Sequence, residues 1–355
     1  MMRSLNRLYK STLIISFTAL SFSLSAGNED RIGSAGASEL LVNPWARSTS
    51  MGSAGISSTR GLEAQFMNVA GLAFTDKTQV KFNYTNWLGS AGIALNSAGL
   101  AQRVGDQSVI GVSVQAFSYG DIDITTVEIP EGGIGQFSPV KSIVNLAYAR
   151  EFSNSIYAGL NLKVINENIS NLRANGVALD AGINYVTGEQ DHIRFGITLK
   201  NVGPTMVYRG DGLGTSIFYQ ANGDLATLEQ RSASFEMPSL LAIGASYDFI
   251  FSEGSKLTVA GAFIANSFTN DQYSIGLDYG VNTDKVAFNL RAGYVMEQDL
   301  LNPELRTTSI TGPTAGFSVD ALTGKSRNPI GFEYAARLSN PFGVIHTVGL
   351  TISMK

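Results

Sequence analysis

Hydrophobic and polar residues alternate along most of the chain after its first 75 residues. In residues 156–166, for example, Leu160 and Leu162 fall on one face of a strand, and Asn161 and Lys163 fall on the other. A period of two is the pattern of a β-strand with two unlike faces. The pattern predicts fourteen strands, most of about the length that a tilted strand needs to cross a bilayer. They are 79–86, 89–97, 108–119, 142–150, 156–166, 176–187, 193–201, 239–250, 256–267, 272–280, 286–296, 315–321, 330–338 and 346–354.

The connections between these segments are sorted by length. Short ones are even-numbered, at 151–155, 188–192, 251–255 and 281–285, whereas the longest are odd-numbered, at 120–141, 202–238 and 297–314. An up-and-down barrel of the outer membrane has short periplasmic turns and long external loops. The sequence therefore predicts an all-β fold, a transmembrane antiparallel β-barrel of about 14 strands, with both termini periplasmic. A soluble β-sandwich, the alternative, gives no reason for this sorting.

A closed barrel also assigns the two faces of each strand. Its sheet pairs every backbone N–H and C=O within the hydrocarbon, so Ile, Val, Leu and Phe face lipid and polar residues face the lumen. Four glycines fall at predicted lumen positions: Gly111, Gly159, Gly196 and Gly293. Either they relieve the curvature of the wall, or they leave space that another part of the chain fills.

The chain before the first strand divides into two parts. Residues 1–26 have the pattern of a secretory signal peptide, in which three basic residues precede a short apolar stretch. Residues 27–75 lack the alternation, are rich in Gly, Ser and Ala, and carry apolar clusters that need a surface on which to be buried. We therefore predict that 27–75 form a hatch in the periplasmic mouth of a barrel built by 76–355. An exposed tail is the alternative.

Composition limits the chemistry. Charged residues make up 15% of the chain, below the roughly 25% of soluble domains. There is no Cys, which excludes disulfides and thiolate metal sites, and only 2 His. The net charge of −4 becomes −7 without the three basic residues of the signal peptide, which argues against nucleic-acid binding. Neither a complete phosphate-binding loop nor a Gly-x-Ser-x-Gly motif occurs. We predict no enzyme activity, no cofactor and no metal site.

Two elements of the hatch carry a family resemblance. Asn43 to Gly55 resembles an ARxxxMGxAxx element, and Asn68 to Ala73 resembles an NPAGLA motif, although Val69 stands where that motif has proline. Both elements, in this order and spacing, are found in the PorV/PorQ family of FadL-like outer-membrane barrels. Similar stretches extend over nearly all of residues 31–354. The resemblance implies a structural hatch motif at Ala46, Arg47, Met51, Gly52, Asn68, Ala70, Gly71 and Leu72.

The same resemblance implies a function. PorV-like members serve type IX protein secretion: they receive secreted clients by their C-terminal signal domains from the translocon barrel and present them to a surface attachment complex. PorQ-like members hold a surface partner within that attachment machinery. The implied partners are outer-membrane lipid, the translocon barrel, client C-terminal domains or attachment-complex subunits, and no nucleic acid. The alternative is a FadL-like channel for hydrophobic small molecules, which requires a path lined by Phe, Leu and Val.

The 202–238 loop offers candidate contacts. It contains aromatic and arginine side chains, which are the usual anchors of protein interfaces. They either bind a partner or close the loop over the barrel mouth, and the family resemblance favours a partner. The candidates are Tyr208, Arg209, Phe218 and Tyr219.

Overall fold

Fourteen antiparallel strands form a closed barrel in which each strand pairs with its neighbours along the chain and the last pairs with the first. The computed structural model describes residues 31–218, 225–297, 308–324 and 327–354, so the predicted signal peptide lies outside the described residues. The wall strands are β1 Thr78–Trp87, β2 Ile93–Val104, β3 Ser108–Ser118, β6 Val140–Ser153, β7 Ile156–Ile169, β8 Leu172–Thr187, β9 Ile193–Val202, β12 Leu240–Ser252, β13 Ser255–Asn266, β14 Gln272–Asn282, β15 Val286–Glu297, β16 Gly312–Thr323, β17 Asn328–Ser339 and β18 Gly343–Met354. No helix among the described residues is long and apolar enough to cross a membrane.

The two faces of the wall differ as predicted. Leu160 is 53% exposed on the outside, whereas the adjacent Asn161 is fully buried on the lumen side. The same contrast separates Ile197 from Thr198, and Leu290 from Arg291. The predicted assignment of the two faces is therefore confirmed, and the barrel presents an apolar band outside and a polar face inside.

Two strands differ from the prediction by four residues or more at a boundary, and the others by three or fewer. The second strand spans Ile93–Val104 instead of 89–97, because Gly89–Ala91 form a short 3-10 turn and the small residues after Ser97 hide the alternation. The strand β8 begins at Leu172 instead of 176, which leaves only residues 170–171 between it and β7. Neither change alters the number of strands.

All long connections leave the same end of the barrel, which we call the loop end. They are 119–139, which contains the short strands β4 Ile122–Asp123 and β5 Gln136–Phe137, then 203–239, which contains the hairpin of β10 Gly214–Phe218 and β11 Leu225–Glu229, and finally 298–311. The opposite end, which we call the turn end, has only short turns. In an outer-membrane barrel the loop end is external, so the predicted sorting of connections is confirmed.

The residues before β1 lie inside the barrel and account for the four lumen glycines. We call residues 31–75 the N-terminal segment. A Cβ at Gly111 would lie 3.0 Å from Leu72, one at Gly159 3.0 Å from the Val69 carbonyl, one at Gly196 2.8 Å from the Ile56 carbonyl, and one at Gly293 2.6 Å from the Gly52 nitrogen. Of the two interpretations of these glycines, the structure supports the second: the space they leave is filled by the chain itself.

The N-terminal segment extends further than predicted. Ala35 forms a β-bridge with Glu236, and Leu40 belongs to the same buried cluster as Met206, so both lie at the loop end. Near Phe74 the segment reaches the turn end, where this ring contacts Tyr157 at the start of β7 and the Arg60 guanidinium lies 4.5 Å from it. The first described residues of the segment therefore extend beyond the predicted periplasmic hatch, up to the loop end. Their apolar side chains are buried beneath the long loops, which the lack of alternation could not reveal.

Replacing Gly293 with valine is expected to displace the N-terminal segment, because the new side chain would occupy the position of the Met51–Gly52 backbone. Overpacking of this kind costs about 1–3 kcal/mol. Limited proteolysis of the folded barrel in detergent should then cleave within residues 31–75 faster than in the wild type. Ala292→Val, on the lipid-facing side of the same strand, is the control and should leave the rate unchanged. Equal cleavage rates in the two variants would contradict the assignment.

Candidate functional site

A buried network of charges joins the N-terminal segment to the wall. Lys81 of β1 contacts Glu63 of the segment and lies 2.9 Å from Glu333 Oε1 of β17. Arg47 donates from Nε to the same oxygen at 2.7 Å and from Nη2 to Asp320 at 2.6 Å. Lys81, Glu63 and Glu333 are each 3% exposed or less. Because a buried charge without a partner is strongly destabilising, the network holds the segment against β1, β16 and β17.

The charge of Arg47 follows from its partners. Burial alone would lower the pKa of its guanidinium, but Glu333 and Asp320 outweigh burial and hold the pKa above its ordinary value. The short helix that begins at Ala46 therefore carries a permanent positive charge at its second residue. This charge faces two carboxylates of the wall, so the first predicted motif is an anchor of the segment.

The second predicted motif forms a capped turn. Asn68 accepts a hydrogen bond from the Ala70 nitrogen at 3.2 Å, at the start of the 3-10 helix Val69–Phe74, and donates to Asn184 of β8 at 2.8 Å. Val69 takes the first helical position, where proline also fits, so the Asn68 cap fixes the turn that a proline would otherwise restrict. The remaining motif residues are all buried: Ala46, Met51, Gly52, Ala70, Gly71 and Leu72.

A second charged cluster lies at the loop end. Lys141 Nζ is 2.9 Å from Glu39 Oε2 and 3.0 Å from Glu167 Oε2, and the Tyr208 hydroxyl donates to Glu167. One ammonium group thus faces two buried carboxylates. Burial raises the pKa of Glu39 to about 7, because the attraction of Lys141 offsets burial only in part and Glu167 repels the charge.

The structure separates the four candidate residues of the 202–238 loop. Tyr208 is half-buried, with its ring 5.6 Å from that of Phe235, so it closes the base of the loop. Arg209 is exposed, and its backbone forms an isolated bridge with Arg173. Phe218 is the last residue of β10, and Tyr219 lies outside the described residues.

Sequence reasoning missed the residues that form both charged clusters on the barrel side. Lys81 and Glu333 were visible as single charges at lumen positions of predicted strands, whereas Lys141 and Glu167 each fall one residue outside a predicted strand. Their partners lie as many as 286 positions away along the chain, as between Arg47 and Glu333. A charge at a predicted lumen position was the available signal, since such a charge requires a partner.

The lumen contains a polar cavity towards the turn end. Its volume is about 170 Å³. Its charged lining consists of Arg47, Arg60, Glu63, Arg194, Lys256, Asp278 and Arg291. A larger depression of about 580 Å³ is open to the outside of the wall and is lined there by Phe82, Tyr84, Val114 and Leu350. On its inner side are Asn83 and Ser97, which are buried and polar, so the apolar surface does not continue into the lumen.

The fold has relatives among known structures. The CymD monoaromatic hydrocarbon channel aligns with a TM-score of 0.54 at 14% identity over 88% of this chain and 97% of CymD. The Pseudomonas putida toluene transporter TodX aligns with 0.53 at 12% identity over 88% and 98%. A Pseudomonas aeruginosa FadL homologue aligns with 0.50 at 12% identity over 88% and 96%. Together with the closed barrel and its internal segment, they define the class: an integral outer-membrane β-barrel of FadL-like architecture.

The family follows from the sequence itself. The family model described as "Type IX secretion system protein PorV" matches residues 25–266, and the chain therefore belongs to the PorV family. A comparison with curated proteins gives no match. The membership confirms the resemblance stated above, and both the family and the structural neighbours are transport-type barrels of the outer membrane.

The central network makes a measurable prediction about stability. Glu333→Gln leaves Lys81 and Arg47 without their shared carboxylate and is expected to lower the free energy of unfolding by about 3–5 kcal/mol. Urea unfolding of the refolded barrel measures this. The control is Glu236→Gln, which breaks the exposed pair with Arg31 and should cost less than about 1 kcal/mol. Equal losses in the two variants would show that the network is not a principal anchor.

The loop-end cluster predicts a pH dependence. Since the pKa of Glu39 is about 7 in the folded state and 4.5 ordinarily, docking of the N-terminal segment favours the protonated carboxyl. This stabilisation is complete below pH 4.5 and is lost as the pH rises through about 7.

The absence of cysteine allows a direct test of this dependence. The spectrum of a spin label attached to Ser34→Cys should gain a mobile component as the pH is raised from acidic to neutral. Glu39→Gln should abolish the dependence, whereas Glu236→Gln should retain it. A spectrum of the labelled protein that does not change with pH would contradict the role of Glu39.

Proposed function

We propose that this chain is a non-enzymatic component of type IX secretion that binds the C-terminal signal domains of secreted clients through its loop end. In this proposal residues 27–75 are a hatch that stays in the barrel, and 76–355 are the wall. The observation that carries the proposal is the contrast between the two candidate sites. The lumen is filled by the N-terminal segment and lined by charges, whereas the loop end exposes apolar side chains outside the lipid.

The exposed apolar side chains lie on the two hairpins of the loop end. Val127 is 100% exposed between β4 and β5, and Ile134 is 49% exposed nearby. Ile217 and Leu228 are 38% and 52% exposed on the hairpin of β10 and β11. Because these hairpins extend beyond the wall strands, lipid does not cover them. Exposed apolar groups of this kind mark protein interaction surfaces.

The structural neighbours keep a second function in view, that of a channel for hydrophobic small molecules. CymD is a monoaromatic hydrocarbon channel and TodX is a toluene transporter. The polar lining of the lumen cavity argues against such a route in this chain, because a hydrocarbon gains nothing from leaving lipid for a charged surface. The apolar depression of the wall favours it, but Asn83 and Ser97 end that surface before the lumen.

Charge substitutions on one hairpin test the proposal. Ile217 pairs with Ala226 and Leu228 pairs with Thr215, so Ile217 and Leu228 lie on one face, and Ser216 and Thr227 lie on the other. The double variant Ile217→Lys, Leu228→Lys is expected to reduce recovery of secreted clients at least tenfold in a pull-down from outer membranes. Ser216→Lys, Thr227→Lys introduces the same charge on the opposite face and should retain recovery.

The bound proteins decide between the alternatives. Recovery of clients or the translocon barrel with the wild type, lost only in the first variant, supports client binding. Recovery of attachment subunits alone indicates a PorQ-like role and contradicts client binding. A barrel that recovers no protein and increases the uptake of a hydrocarbon probe indicates the channel.

A further inference from the structure

Arg337 is a buried arginine on the lumen face of the wall. It lies at a lumen position of β17, two residues after the fully buried Ala335 and directly before the exposed Leu338, and is only 3% exposed. Among the residues that the structure describes, its Nε and Nη2 atoms have no hydrogen-bond partner and no carboxylate offsets its charge. Leaving a buried charge unpaired costs several kcal/mol, so this position requires an explanation.

The other lumen arginines show what is missing. Arg291 donates to Asp278 at 3.0 Å and to Ser318 at 3.0 Å, and Arg194 pairs with Asp248. In each of these cases the wall supplies the carboxylate from a neighbouring strand. The cross-strand neighbours of Arg337 are instead Thr314 and Ile345, neither of which can carry a negative charge.

The unpaired atoms form one edge of the guanidinium group. Nε–H and Nη2–H point in the same direction and together make the fork that binds a carboxylate through two parallel hydrogen bonds. Ser339 lies two residues further on the same face of β17, is 1% exposed, and its hydroxyl also has no partner among the described residues. Three unpaired polar atoms are therefore presented from one strand face.

The position of these residues indicates where a ligand enters. β17 ends at Ser339, so both residues lie at the loop end of the lumen, whereas the polar cavity lies towards the turn end. A single guanidinium charge is neutralised by one negative charge, which fits a carboxylate better than a doubly charged phosphate. Threonine and isoleucine neighbours add no further charge to bind a dianion.

We propose that Arg337 and Ser339 form a binding site for a carboxylate group that enters from the loop end, and that during secretion the client polypeptide supplies this carboxylate. The claim that the client supplies the carboxylate rests on the proposed function. The claim that a carboxylate binds here rests on Arg337 and Ser339 alone. Bound carboxylate completes the pairing that the wall lacks, so a client gains one charged contact at the loop end of the lumen in addition to the apolar contacts of the hairpins.

Unfolding measurements test the site without a client. Sodium acetate should raise the urea midpoint of the wild type more than sodium chloride does at equal ionic strength, since a ligand of the folded state stabilises it. Arg337→Met should abolish the difference without lowering stability in chloride, and Ser339→Ala should weaken it. Arg291→Met is the matched control. It should lower stability because Asp278 loses its cationic partner, and this variant should still respond to acetate. If Arg337→Met is as destabilising as Arg291→Met, or if acetate acts like chloride on the wild type, the site is overturned.

Client binding tests whether the client supplies the carboxylate. Loss of a charged two-point contact should weaken client binding to Arg337→Met at least tenfold. Equal client binding to wild type and Arg337→Met, with an acetate effect that depends on Arg337, would leave the carboxylate site standing and overturn the client as its source. Failure of the wild type to bind any client would overturn the proposed function, and the acetate series alone would then decide the site.

Discussion

The inward face of a closed barrel depends on pairing every charge that it buries. In this chain the pairing is shared between the wall and the N-terminal segment: Arg47 and Glu63 come from the segment, and Lys81 and Glu333 from the wall. Each side contributes one cation and one carboxylate, but Arg47 pairs with Glu333 and Glu63 pairs with Lys81, so these ion pairs cross between the segment and the wall. The segment is therefore part of the folded barrel and not an addition to it, and the polar lumen face of the wall is stable because the segment occupies it.

Two charged clusters hold the segment at different heights. The network around Glu333 fixes it towards the turn end, and the cluster of Glu39, Lys141 and Glu167 fixes it beneath the long loops. They differ in their charge balance. In the first, two cations surround Glu333, whereas in the second, two carboxylates share one cation. The raised pKa of Glu39 makes the loop-end anchor the one that a rise in pH towards neutrality can loosen.

Much of the fold could be predicted because its signals are local. Alternation within single strands gave the faces of β7 and β15, and the lengths of connections gave the loop end. The lumen glycines even indicated that something fills the barrel. The ion pairs could not be predicted, because Arg47 and Glu333 are 286 positions apart and only closure of the barrel brings them together. The reach of the N-terminal segment up to the loop end could not be predicted for the same reason: burial of Leu40 beneath the loops is a tertiary contact without a local pattern.

Fold and function separate in this protein. Its backbone is similar to that of hydrocarbon transporters at an identity that shows architecture alone, while its family serves protein secretion. A barrel wall fixes only which positions face inward, and the side chains placed there decide what the inside can hold. Here those positions carry lysines, arginines and carboxylates that are matched to an internal segment. In the proposed function, that matching argues against the lumen as a path for apolar molecules, and the loop end, with its exposed apolar hairpins, is the surface proposed for recognition.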